Sequence, residues 1–137
     1  MEEFESIMGA WGSGPFENDS ALDWVSDLDA QAVRDALRTC AQTPADAYLD
    51  VDDGSNARAA AELVGAARAG ADIKLPLPCR KWLAAHGAEL EDSDAALAVR
   101  ALTRLLGPNS ELASLWGQPA DSKWQSDTRT LHARLAQ

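Results

Sequence analysis

The sequence has almost nothing with which to hold a metal or staple itself with disulfides. Of 137 residues, two are cysteine (Cys40, Cys79) and two are histidine (His86, His132). Two lone thiols exclude a disulfide framework, and two isolated imidazoles match no Cys/His ligand spacing. No stretch approaches the ~20 consecutive apolar residues of a membrane helix. The opening MEEFESI is acidic and lacks the basic region and apolar run of a signal peptide. These absences lead us to expect a cytoplasmic protein with reduced thiols. Alternating β-branched segments are missing as well, which argues against strands. Basic residues are scarce: 12 Lys and Arg stand against 22 Asp and Glu, a net charge of −10.

The charge is unevenly spread. Residues 1–55 hold 13 acids and two bases, Arg34 and Arg38, a balance of −11; residues 56–137 hold nine acids and ten bases, a balance of +1. An acidic half repels nucleic acid, whose phosphates need Lys and Arg. It attracts a basic protein instead. Single acids also serve solubility and helix starts, which accounts for many of them.

Alanine dominates an apolar content of 46 %, sufficient for one core and biased toward helix. Asn18, Asp19 and Ser20 suit a helix N-cap, with Leu22, Trp24, Val25 and Leu28 as the apolar set that follows. Asp29 is placed to cap a second helix, whose stripe is Val33, Ala36, Leu37, Cys40 and Ala41 and whose end is set by Thr43-Pro44. Cys40 on that stripe reads as a small buried hydrophobe. After an apolar connector of Tyr48, Leu49 and Val51, the polar group Asp52, Asp53, Ser55 and Asn56 is expected to cap a long third helix running to about Ala69. Its run of alanines implies a closely approaching neighbour. Leu75-Pro-Leu-Pro78 reads as an extended link before a helix from Cys79 to His86. Ser93 is expected to cap the next helix, with Ala95, Ala98, Val99, Leu102, Leu105 and Leu106 inward and Arg100 and Arg104 on its outer face. A short helix at 110–116 and a last one from about Asp121, lined by Trp124, Thr128, Leu131 and Leu135, complete six or seven helices.

Motifs that imitate chemistry fail on spacing. Asp50 to Asn56 resembles a calcium loop, but the sixth position is Ser55 rather than glycine and the twelfth is Ala61 rather than a bidentate Glu. Gly9-Ala-Trp-Gly12-Ser-Gly14 lacks the preceding strand and following Lys of a phosphate loop. Ser13 has no glycines two residues away on each side, as a nucleophile elbow requires. No catalytic residue, metal or cofactor is implied. Glu17 with Asp19 or Asp23 is the first carboxylate pair to consider for acid–base work. Of the five tryptophans, Trp24, Trp116 and Trp124 fall on apolar stripes, Trp82 follows Arg80-Lys81 and suits either core or rim, and Trp11 stands on no stripe.

Met8-Gly-Ala-Trp-Gly-Ser-Gly-Pro-Phe-Glu-Asn-Asp-Ser-Ala-Leu-Asp-Trp24 resembles the opening of a bacterial family of unknown function, DUF4259. The family's pattern is met by Met8, Gly9, Trp11, Gly12, Gly14, Phe16, Asn18, Asp19, Ala21 and Asp23. A second block, Tyr48 to Val64, is similar to the family's Tyr-Leu-x5-Ser-x-Ala-x-Ala-Ala-Glu stretch. The resemblance implies a helical domain with no assigned activity. Families of this style are associated with immunity proteins of bacterial toxin systems. Residues 1–7 depart from the pattern and are expected to be a disordered upstream extension or a mis-called start ahead of Met8.

In this reading residues 8–137 form one all-α domain, an irregular helical bundle. Its glycine-rich opening is a plug that drops Trp11 and Phe16 onto the helices. The expected function is a non-enzymatic interaction module of the immunity type, presenting acids to a basic toxin, without nucleic acid or membrane. The alternative is an enzyme or small-ligand binder with carboxylates beside the Trp11 loop. The candidate binding residues are Trp11, Phe16, Glu17, Asn18, Asp19, Asp23 and Glu62, the acids among them expected to face solvent.

Overall fold

A computed structural model describes residues 29–68, 75, 77–116 and 122–137. Among them are six α-helices: α1 (Ala30–Gln42), α2 (Val51–Arg68), α3 (Leu77–His86), α4 (Asp92–Leu105), α5 (Glu111–Trp116) and α6 (Lys123–Leu135). A 3-10 turn, Gly87–Glu89, joins α3 to α4. The described residues contain no strand beyond a single parallel bridge between Leu49 and Ser110. The expected first helix, near Leu22 to Leu28, and the glycine/aromatic plug lie outside the described residues.

Local chemistry sets the ends of α1. The Asp29 carboxylate accepts the Ala32 N–H at 2.7 Å, and Thr43, ahead of Pro44, turns to extended backbone. Val33, Leu37 and Cys40 are fully buried from this helix, as the stripe predicts. The start of α2 differs from expectation. The helix begins at Val51, so Asp50 is the cap, accepting the Asp53 N–H at 2.8 Å. Asp52 and Asp53 then fall in the first turn, and Ser55 and Asn56 lie inside the helix. Ordinary helix thus runs through the segment that imitates a calcium loop.

Through its middle α2 is covered on every side. Gly54, Ser55 and the unbroken run from Ala57 to Gly65 are all buried. Small residues permit this: a Cβ on Gly65 would come within 2.6 Å of Leu131 Cδ1, and one on Gly54 within 3.2 Å of Leu105 Cδ1. Around this axis pack α1 and α4, which also pack on each other, with α6, α5 and α3 as its further neighbours among the described residues. An amphipathic stripe describes the surrounding helices; a helix buried all round has none.

Three further starts shift. α3 begins at Leu77 with Pro78 in its first turn, where a missing N–H costs nothing, so the expected extended link is shorter. In α4 the cap is Glu91 rather than Ser93, and Asp94 reaches back to accept the Glu91 N–H at 2.8 Å. α6 starts two residues later than expected, with the Ser122 hydroxyl accepting the Gln125 N–H. Trp124, Thr128, Leu131 and Leu135 are buried from it, as predicted, and Trp82 proves to be a core residue.

Candidate interaction surface

Of the seven candidate binding residues, six (Trp11, Phe16, Glu17, Asn18, Asp19 and Asp23) lie outside the described residues. The seventh, Glu62, is not where the sequence reading puts it. Instead of facing solvent it is 7 % exposed on the central helix. Its carboxylate accepts from Arg58 Nη1 at 2.8 Å, one helical turn back, and Arg58 Nε donates to the Thr128 hydroxyl at 3.1 Å. Thr128 donates in turn to the Trp124 carbonyl. The cause is the unbroken burial of α2 from Ala57 to Gly65: a carboxylate within that stretch is kept only by bringing its own cation.

Arg104 is the second correction. Expected on the outer face of α4, it is 8 % exposed and spreads its guanidinium over backbone carbonyls. Nε donates to Thr43 O at 2.8 Å, Nη1 to Pro108 O at 2.7 Å, and Nη2 to Ala47 O at 2.8 Å and Pro44 O at 3.1 Å. One side chain therefore binds the turn after α1 to the turn after α4. The same two turns meet through Leu49, whose N–H donates to Asn109 O and whose carbonyl accepts the Glu111 N–H. Asn109 adopts φ 57°, a left-handed conformation that asparagine tolerates, and its amide donates to Ala45 O.

This clamp leaves a defined exterior. Tyr48, expected in an apolar connector, is 64 % exposed, while its neighbour Leu49 is buried. The Tyr48 phenol stands beside the Glu111 carboxylate; desolvation and then that carboxylate hold it above its ordinary pKa. Glu111 Oε1 also accepts the Val51 N–H at 2.9 Å, so α2 is capped from outside its own sequence. Leu115, one turn along α5 from Glu111, is 44 % exposed. Asp46, Asp50 and Asp52 are exposed on the same segment as Tyr48. Asp53 is half-buried, and burial, then the charges of Asp50 and Asp52, push its carboxyl up.

A second polar cluster joins α1 to the start of α4. Arg34 donates to Asp94 through Nε at 2.8 Å and Nη2 at 3.1 Å, and also to the Glu89 carbonyl. Arg68 pairs with Asp92. These contacts fasten helices. Both thiols are buried, and burial pushes Cys40 up to about 12 and Cys79 up to about 11, away from the thiolate form. Among the described residues no group of three His, Cys, Asp or Glu could hold a metal ion, and no helix is long and apolar enough to cross a membrane.

The model of the DUF4259 family, a domain of unknown function, matches residues 9–127. The chain belongs to this family. No curated protein and no solved structure matches it. The DUF4259 match spans all of α1 to α5 and the start of α6, and so includes the clamp and its acidic exterior. Neither the clamp made by Arg104 nor the exposure of Tyr48 follows from the spacing of residues in the sequence. The signal available for the exterior was the absence of Lys and Arg between residues 39 and 57 and again between 105 and 122.

Proposed function

We propose that this DUF4259 chain is a non-enzymatic interaction module that offers an acidic surface to a basic protein partner, in the manner of an immunity protein. The observation that carries the reading is the segregation of charge. The first 55 residues balance at −11, and the two segments that meet at the Leu49–Ser110 bridge hold acids without a single base. A surface of one sign steers an oppositely charged partner and rejects nucleic acid and other acidic surfaces. Glu17, Asp19 and Asp23 add to the same charge, with Trp11, Phe16 and Asn18 beside them in sequence. In this reading residues 8–137 act as one helical unit in the cytoplasm.

The test is size-exclusion chromatography of the purified chain with the protein encoded by the reading frame next to its own. A stoichiometric complex that dissociates at high salt supports the reading. Two results overturn it: co-elution that salt does not weaken, or no complex together with turnover of a small molecule that depends on Glu17, Asp19 or Asp23.

A further inference from the structure

We propose that the face made by Tyr48, Glu111 and Leu115, edged by Asp46, Asp50 and Asp52, docks a basic amphipathic segment of a partner protein, an apolar side chain flanked by Lys or Arg. The inference rests on the interaction reading above and specifies where and with what chemistry it operates.

The face combines exposed apolar surface with rigidity. Among the described residues three large apolar side chains are strongly exposed: Tyr48, Leu77 and Leu115. Two of them belong to the segments joined by the Leu49–Ser110 bridge. Glu111 lies between them, beside the Tyr48 phenol and one turn before Leu115, and its carboxylate is fixed by the Val51 N–H. Arg104 clamps the turns at 43–47 and 108, and the Asn109 amide adds a bond to Ala45. A tyrosine and a leucine held on such a frame lose little freedom on binding, which is the character of an interface anchor.

Charge selects the occupant. Residues 39–57 carry Asp46, Asp50, Asp52 and Asp53 with no base, and residues 105–122 carry Glu111 and Asp121 with no base. A second copy would set acid against acid. The chain's own first 28 residues hold seven acids (Glu2, Glu3, Glu5, Glu17, Asp19, Asp23, Asp27) and no base, the wrong sign for this face. An anionic membrane or a nucleic acid is repelled for the same reason. A segment with Lys or Arg around an aliphatic or aromatic side chain satisfies both the acids and the apolar pair.

The experiment maps binding of a synthetic Leu/Lys amphipathic peptide to the isotope-labelled full chain by amide chemical shifts, with a Leu/Glu peptide as the control. The expected result is a set of shifted amides centred on 46–53 and 110–116, and none with the control. The double variant Tyr48→Ser, Leu115→Ser changes only exposed side chains; with its circular dichroism unchanged, it is expected to bind the peptide about tenfold more weakly. Shifts centred elsewhere, or a double variant that binds as the parent does, overturn this face while leaving the broader interaction reading intact. No binding of the Leu/Lys peptide at low salt overturns both.

Discussion

Two aspartates set one helical turn from a helix start respond to opposite physics. Burial alone would raise the Asp94 carboxyl, but the Arg34 guanidinium and the Glu91 N–H outweigh it and hold the folded value below the ordinary one. A depressed carboxyl stabilises the fold above its unfolded pKa, about 3.9, and that contribution fades as pH falls through the folded value. Asp94→Asn is therefore expected to lower the melting temperature at neutral pH, with the deficit shrinking toward acid. Asp53 is raised instead, by burial and then by Asp50 and Asp52. Its charge opposes folding once pH exceeds the folded value, and protonation relieves it. Asp53→Asn is expected to raise the melting temperature slightly at neutral pH, with the gain vanishing below about pH 4. Melting curves across pH for both variants check this; shifts of the same sign at neutral pH would contradict it.

At the scale of elements, sequence pattern and structure agree wherever a helix has one wet face. The inward residues of α1 and α6 follow directly from spacing, because solvent on one side forces polar residues there. The pattern fails through the middle of α2, where no face is wet, so Glu62 reads as a solvent-facing acid although Arg58 neutralises it in the core. It fails at Arg104 for a related reason: a cation four residues from Arg100 looks like a second surface charge, and nothing local reveals the carbonyls of a turn some sixty residues earlier. The acidic exterior was legible as a base-free stretch, but its apolar members depend on which way the 43–50 turn presents Tyr48 and Leu49. Arg104→Lys tests the clamp. A lysine keeps the charge but not the planar fork that reaches four carbonyls, and a loss of about 2–4 kcal/mol in denaturant unfolding is expected. Gly65 tests the close approach of α2 and α6. Gly65→Ala gains helix propensity yet pushes Leu131, whose methyl stands 2.6 Å from the new Cβ. We expect a net loss of about 1 kcal/mol. Leu131→Ala, costing about 2–4 kcal/mol alone, is expected to cost clearly less in the Gly65→Ala background. Strict additivity in that double-mutant cycle would show that the two helices do not meet this closely.

At the scale of the molecule, a helix wrapped on all sides through its middle carries one ion pair into the centre, and the question is whether that pair belongs to the fold or to a binding site. Arg58 is 3 % exposed and Glu62 7 %. Removing one partner leaves the other charged and buried, so Arg58→Met and Glu62→Leu alone are each expected to cost about 3–5 kcal/mol. The double variant replaces both charges with apolar volume and is expected to recover most of that loss, because desolvation of the pair offsets much of its attraction. If the pair serves only the fold, the recovered double variant binds the Leu/Lys peptide with the parent's affinity, since Glu62 then contributes nothing to the acidic exterior. A double variant that regains its melting temperature but loses peptide binding would return Glu62 to the binding set that the sequence suggested, reached through a rearrangement of the core. Unfolding curves and peptide titrations on the same four proteins separate the two outcomes.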